Sequence, residues 1–398
     1  VGALALAVVA LALPSSAQEG VGRAAIERGP IVSFDEKGAT TVDVVVNVAA
    51  AADGLKLSAW LDGDAKRTFP FTVVDGRRFR ATLDGIAPAT TVSYSIGELA
   101  TVFHLLTPPA PKARRWTFCA YGDSGWPRRG AMTASEEQLA VAKVLEAQSP
   151  DLVLNTGDVI YFAGQESGFD PLFFKPYAGT LSRVPLFSCL GNHDVVTKDG
   201  APELAAFPFP RNAPGSHFYS FDFANAHFVV LDTNEIIEHE SADAFLATEQ
   251  GKFLRADLAA SQAEWKIAMF HHPIYACPSH KGRMAETEHA RLLLEKTLLE
   301  GGVELVLSGH HHYYYRAHRA RDGKRDESGL VQVVTGGGGA MLNDGAEPNE
   351  LTAASAKRFH LVRFDVDGLT LSLEALAPTT GGKLERFDAV KIASRRVR

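Results

Sequence analysis

The sequence is poor in thiols. Three cysteines in 398 residues, Cys119, Cys189 and Cys277, cannot supply a dense disulfide framework or a thiolate-rich zinc module, and cannot all pair internally. Cys119 and Cys189 fall in apolar runs and read as small buried strand residues, while Cys277 in its Pro-flanked loop is uninformative. There is no basic excess either. Lys and Arg number 40 against 47 Asp and Glu, for a net charge of −7 and a pI of ≈ 6.1, so nothing in the global charge attracts nucleic acid. No apolar run reaches the roughly 20 residues needed to span a bilayer. None of the eight Asn residues opens an Asn-x-Ser/Thr triplet, which removes one mark of a eukaryotic secretory chain. What is present is the balance of a globular protein, 46% hydrophobic and 22% charged, with 14 His. The length exceeds the roughly 100 to 200 residues of one ordinary domain, so two domains, or one large domain with an appendage, are expected.

The run Ala3 to Leu13, ALALAVVALAL, has the length of a signal-peptide core, and small Ser15 and Ala17 come after it where a signal peptidase needs them. Residues 1–17 are therefore expected to be a signal peptide. It begins at Val1 without a Met or a basic segment, as a leader clipped at its start would. No Cys comes after the run, so neither a lipoprotein anchor nor any other stable membrane anchor is expected, and the reading is a bacterial periplasmic or secreted protein.

From Ile31 to Thr107, short alternating runs such as TVDVVVNV (Thr41 to Val48), LKLSAWL (Leu55 to Leu61), RFRATL (Arg78 to Leu83) and TVSYSI (Thr91 to Ile96) are separated by turn residues. Period-two alternation at this spacing predicts an all-β sandwich over residues 28–108. Pro108-Pro109-Ala110-Pro111-Lys112 predicts a stiff linker, placed at residues 109–115. From residue 116 to 398 the texture is that of an α/β domain, with apolar strands alternating with amphipathic helices. WTFCAY, LVLNT, PLFSCL, HFVVLD, KIAMF and VELVLS read as buried strands. Ser135 and Gln138 form a capping box opening a helix to about Gln148, and further helices are expected near Lys252 to Ala260 and His289 to Glu300. RFHLVRFDV and LTLSLEAL close the domain as strands.

The informative residues stand at the ends of these strands. The first strand ends in Gly122-Asp123-Ser124-Gly125, the second in Gly157-Asp158-Val159-Ile160-Tyr161 and the third in Gly191-Asn192-His193-Asp194. Later ones end in His271-His272-Pro273 and Gly309-His310-His311-His312. Each alone is an ordinary polar turn. Together they bring two Asp, an Asn, three His and a Tyr to five strand ends, where the loops of an α/β sheet converge. Seven oxygen and nitrogen donors exceed what one tetrahedral zinc requires and suit two cations sharing a carboxylate.

The ordered set Gly-Asp-x-Gly, Gly-Asp-x-x-Tyr, Gly-Asn-His-Asp, x-x-x-His and Gly-His-x-His resembles the calcineurin-like metallophosphoesterases, and its Tyr places it nearest the purple acid phosphatases. One departure is Ala268, where that family usually has Val. The segment ending in Phe103-His104-Leu105-Leu106-Thr107-Pro108-Pro109 is similar to the family's N-terminal domain. The resemblance implies a fibronectin-III-like β-sandwich followed by a four-layer αββα metallophosphoesterase domain.

It further implies that Asp123, Asp158, Tyr161 and His312 hold one metal, and that Asp158, Asn192, His271 and His310 hold the other. His271 is preferred to its neighbour because the family ligand comes directly after the strand. His310 and His312 are two apart and point the same way on extended backbone, while His311 points elsewhere. His272 is left between a substrate contact and a role behind the ligands. His193, next to a ligand and paired with Asp194, is expected to stabilise the phosphoryl oxygens or protonate the leaving alkoxide. A phenolate favours Fe(III) at the Tyr161 site, with divalent Fe, Zn or Mn at the other.

The implied activity is hydrolysis of small phosphate monoesters by metal-bound hydroxide. A phosphodiesterase using the same core and a non-catalytic surface-binding module are the alternatives. The Gly336 to Gly339 run lacks the Lys-Ser/Thr of a nucleotide P-loop and reads as a turn where backbone approaches the site. The run from Tyr313 to Arg316 reads as strand packing, and His217 and His227 as structural residues.

Overall fold

The computed structural model describes residues 26–35, 38–46, 55–97, 99, 101–210, 212–213, 217–277, 281–343, 347–379 and 383–395. The leader expected at residues 1–17 lies outside the described residues.

Alternation in the first part of the chain produces two four-stranded antiparallel sheets. One runs in the order Ile26–Phe34, Thr40–Val46, Arg78–Leu83, Thr72–Asp75, and the other Arg67–Pro70, Lys56–Trp60, Thr91–Ile96, Phe103–Leu106. Every second side chain turns inward, so Val42, Val44, Val46, Phe79, Ala81 and Leu83 meet Leu57, Ala59, Val92, Tyr94 and Ile96 in one core. Four of these strands are not evident from pattern. Ile26–Phe34 carries Gly29-Pro30 and two register irregularities against its partner, while Arg67–Pro70 and Thr72–Asp75 are exposed except for Phe69. Phe103–Leu106 is only four residues long.

The second part builds two further sheets. The first has the order Leu186–Ser188, Leu152–Asn155, Arg115–Tyr121, Leu361–Asp367, Thr370–Pro378, Leu384–Ala393. The second has Tyr219–Phe223, Ala226–Val230, Trp265–Met269, Leu305–Ser308, Val331–Thr335, Tyr314–Ala317, Thr352–Ala356. They pack face to face. Phe118 and Phe364 stack with centroids 4.4 Å apart among Phe228, Ile267, Leu307 and Val333. Alternate residues of the same strands, such as Val229, Ala268 and Val306, face the helices Glu249–Ala260 and Lys281–Glu300. Cys119, Tyr121 and Val153 of the first sheet likewise face the helix Glu136–Gln148. Strands apolar on both faces read in sequence as unbroken runs. The result is the four-layer αββα arrangement behind a β-sandwich.

At the start of Glu136–Gln148, Ser135 accepts the backbone N–H of Gln138 at 3.1 Å, but the Gln138 amide reaches across to the Leu172 carbonyl instead of back to the cap. Only half of the expected capping box forms. The other two helices begin earlier than the sequence pattern places them, at Glu249 and Lys281.

The sandwich is fixed to the second part through the segment after Tyr161. Arg28 Nε donates to Asp170 at 2.6 Å with its guanidinium over Phe174, and Tyr94 Oη donates to the Ser182 carbonyl at 2.7 Å.

Candidate metal centre

The strands Arg115–Tyr121, Leu152–Asn155 and Leu186–Ser188 are mutually parallel, as are Ala226–Val230, Trp265–Met269, Leu305–Ser308 and Val331–Thr335. Parallel strands deliver their C-terminal ends to one rim. There the chain turns sharply, with Asp123, Asp158 and His310 at φ of 57°, 52° and 68°. Side chains are held in such backbone only where the surroundings fix them. Gly191 makes the rim tight, since a Cβ there would fall 2.2 Å from both the amide nitrogen and Oδ1 of Asp158. The Gly336 to Gly339 run serves similarly, because a Cβ on Gly336 would lie 2.3 Å from the His311 carbonyl and 2.8 Å from Asp123 Oδ2.

The seven expected donors come together. Tyr161 Oη lies 2.8 Å from Asp158 Oδ2, 3.1 Å from Asp123 Oδ1 and 2.9 Å from His312 Nε2, and His312 Nε2 lies 3.2 Å from Asp123 Oδ1. Beside this set, Asn192 Oδ1 lies 3.1 Å from His271 Nε2 and 2.9 Å from His310 Nδ1. His271 Nε2 lies 3.4 Å from Asp158 Oδ2, so Asp158 belongs to both groups.

Hydrogen bonding alone does not account for these contacts. One phenol proton faces three neighbours. His271 Nδ1 lies 2.8 Å from the Thr156 carbonyl and His312 Nδ1 lies 2.7 Å from the Met341 carbonyl. A carbonyl only accepts, so both Nδ1 atoms carry hydrogen and a neutral ring presents a bare Nε2 to the cluster. With that ring neutral, His271 Nε2 and Asn192 Oδ1 are two acceptors facing each other, a contact that needs positive charge between them, either a metal ion or a second ring proton. Donors about 2.0 to 2.2 Å from a cation stand about 2.8 to 3.1 Å apart at right angles, which is the spacing of the three contacts of Tyr161 Oη. The donor set fits two cations that share Asp158.

The electrostatics agree. Burial opposes charge on His271, yet the Asp158 carboxylate outweighs it and raises the imidazole to about 9, so the pocket draws positive charge. Burial would likewise raise Asp158, but the charge of His271 and the contacts with His193 hold it well below the usual carboxylate range. Burial, with the charges of Asp123 and Asp158 next in weight, keeps the Tyr161 phenol well above its ordinary value.

Asp194 is a correction to the sequence reading. Its carboxylate does not pair with the His193 ring. It is buried and accepts the backbone N–H groups of Val159, Ile160 and Gly191 at 2.9 to 3.1 Å. Burial and the neighbouring Asp158 charge raise it to about 6, against those three bonds. Asp194 thus ties the loop of Asp158 to the loop of Asn192. The His193 ring instead sits on Tyr161, centroids 4.5 Å apart, with Nδ1 2.7 Å from the Phe162 carbonyl.

His272 is buried. Its Nδ1 lies 2.9 Å from Thr233 Oγ1 and its Nε2 lies 3.7 Å from Glu286 Oε1. Of its two expected roles, this geometry favours the one behind the ligands. His311 bonds Tyr313 and Thr287, His217 bonds Asp232, and His227 lies between Asp222 and Asp257. Tyr314 and Tyr315 are packed within a strand. Sequence reasoning missed Glu286, whose Oε2 is 2.9 Å from His310 Nε2. An acidic residue on a helix otherwise reads as solvated surface. It also missed the carbonyls of Thr156, Phe162 and Met341, which carry no residue-type signature.

Residues 118–314 match the calcineurin-like phosphoesterase family. Purple acid phosphatase 18 of Arabidopsis thaliana is 27% identical over 297 residues, 71% of this chain and 62% of that protein. Purple acid phosphatase 13 of the same plant is 30% identical over 170 residues, 40% of this chain and 30% of that protein. The chain therefore spans less than two thirds of either relative, and the plant origin of both gives no support to a bacterial source. A purple acid phosphatase from yellow lupin (Lupinus luteus) seeds has the same fold, with a TM-score of 0.77 at 18% identity, covering 92% of this chain and 74% of its own. No helix among the described residues is long and apolar enough to cross a membrane. Residues 118–314 thus form a calcineurin-like phosphoesterase domain, and over most of its length the chain is similar to the purple acid phosphatases.

Proposed function

We propose that the chain is an exported phosphatase that hydrolyses small phosphate monoesters with two metal ions. The observation that carries this is the convergence of seven donor side chains from five strand ends on two adjacent groups with Asp158 common to both. Asp123, Asp158, Tyr161 and His312 would hold one ion, and Asp158, Asn192, His271 and His310 the other. Bound there, the ions supply charge neutralisation at the phosphoryl oxygens and acidify a water to serve as nucleophile. The phenol oxygen beside two carboxylates favours Fe(III) at the first position, with divalent Fe, Zn or Mn at the second.

His193 is the proton donor in this reading. Its Nδ1 hydrogen is engaged by the Phe162 carbonyl, so the exchangeable proton is on Nε2. Seated on the Tyr161 ring, the imidazole would stand beside a phosphoryl group bound at the Tyr161 position, where it could stabilise its oxygens or give a proton to the leaving alkoxide. Asp194 acts on this indirectly, by fixing the loop that carries His193 and Asn192.

The deciding comparison is turnover of p-nitrophenyl phosphate against bis(p-nitrophenyl) phosphate, with elemental analysis and a visible spectrum of the purified protein. Preference for the monoester supports the proposal, and preference for the bis ester makes the chain a diesterase on the same centre. Equal phosphatase activity in wild type and Asp158→Ala would favour the binding-module alternative.

A further inference from the structure

The two groups of donors differ in charge. The Tyr161 group contains two carboxylates and an ionisable phenol. The other has only the shared Asp158, with a neutral amide and two imidazoles. They differ also in what lies behind the imidazoles. His271 and His312 rest on backbone carbonyls, whereas His310 Nε2 meets a carboxylate oxygen, Glu286 Oε2, at 2.9 Å. Glu286 projects from the helix Lys281–Glu300, and the second oxygen of its carboxylate lies 3.7 Å from His272 Nε2. That distance is an electrostatic contact rather than a direct hydrogen bond.

His272 is itself held. Its backbone N–H donates to Thr233 Oγ1 at 3.0 Å, which leaves the hydroxyl hydrogen for His272 Nδ1 at 2.9 Å. The ring hydrogen then sits on Nε2, toward Glu286. Its ring lies 4.5 Å from that of His310. Thr233, His272, Glu286 and His310 thus form a line ending at His310 Nδ1, which faces Asn192 Oδ1.

We propose that Glu286, supported by His272, is a positioning residue for the second metal, fixing the His310 tautomer and supplying the negative charge that this half of the centre lacks. The inference rests on the dimetal reading above. A carboxylate cannot donate, so it holds the His310 hydrogen on Nε2 and leaves Nδ1 bare. It also makes the ring a more basic ligand, an effect that elsewhere changes metal affinity about 10- to 100-fold. Only one of the two metal positions should feel it.

The test uses the full chain stripped of metal, with Zn²⁺ and Mn²⁺ affinities measured stepwise by competition against a chromophoric chelator. Thermal unfolding of the metal-free protein is measured in parallel. Glu286→Gln keeps the size but not the charge and should weaken one of the two binding steps by about 10- to 100-fold. The other step should stay within about twofold and the metal-free unfolding temperature should not move. Glu286→Asp, which keeps the charge but shortens the reach, should weaken the same step less. His272→Gln should weaken it too, since it loosens the support of Glu286.

Unchanged affinities in Glu286→Gln would overturn the inference. So would weakening of both steps together with a lower unfolding temperature, which is a structural role. A third bound equivalent that Glu286→Gln loses would make Glu286 a ligand in its own right and overturn it as well. Failure of the dimetal reading looks different, because wild type would then bind fewer than two equivalents before any substitution is made.

Discussion

His193 donates from Nδ1 to the backbone carbonyl of Phe162 at 2.7 Å, across 31 residues of chain. Because the acceptor is a carbonyl, the tautomer is set without a carboxylate, and in the proposed mechanism Nε2 is the working nitrogen. His193→Ala should lower kcat for alkyl phosphates by about 10²- to 10⁴-fold, the range for a lost general acid. For p-nitrophenyl phosphate the drop should be far smaller, since that leaving group needs no proton. An equal loss on both substrates would mean that His193 acts on the phosphoryl oxygens rather than on the leaving group.

Tyr161 is buried with its oxygen between Asp123, Asp158 and His312. Tyr161→Phe removes one oxygen and leaves the ring in its packing against Trp126 and His193. The variant should fold, lose the visible charge-transfer band that a Tyr161 phenolate on Fe(III) would give, and retain the metal at the Asn192, His271 and His310 position. Colourless wild type without iron, or a band unchanged in the variant, would show the Fe(III) assignment to be wrong.

Gly191 is required by approach rather than by its own torsion. With a Cβ placed 2.2 Å from two Asp158 atoms, Gly191→Ala must push the Asp158 loop away. It should reduce metal content below two per chain and cost about 1 to 3 kcal/mol of stability. Metal analysis and thermal unfolding of the purified variant read both effects. Full metal loading would show that the loop absorbs the methyl group.

His227 gives a pH signature away from the metal centre. Burial opposes its charge, but Asp222 and Asp257, each 2.7 Å away, outweigh that and raise the imidazole to about 9 from 6.5. A raised folded value means that the stabilisation is fully present below pH 6.5 and disappears as pH rises through about 9. The loss should be about 2 kcal/mol, reduced from the full shift because Asp222 is exposed. His227→Gln should flatten denaturation midpoints across that window. A variant with the same pH dependence as wild type would remove His227 as the source.

The donors were legible in the sequence because the α/β domain places them by rule. Apolar runs such as LVLNT and VELVLS are parallel strands buried on both faces, and the polar turn after each reaches the common rim. Asp123, Asp158, Tyr161, Asn192, His271, His310 and His312 could therefore be placed on that rim from the sequence, while their choice and division into two ligand sets were what the family resemblance implied. The edge strands Arg67–Pro70 and Thr72–Asp75 were not legible, because exposed strands carry no apolar alternation.

By itself the sequence determined the sandwich, the run of parallel strands and which polar side chains stand at the strand ends, since periodicity and residue type are local properties. Tertiary structure alone decided what stands behind each donor. Asp194 is next to His193 in the chain, yet its carboxylate is committed to three backbone N–H groups in the space between two loops. Glu286 reaches His310 from a helix 24 residues away, and the Thr156, Phe162 and Met341 carbonyls orient imidazoles with atoms every residue possesses. Which hydrogen-bonding group fills the second nitrogen of a histidine depends on what folding brings within about 3 Å, and no pattern along the chain encodes that distance.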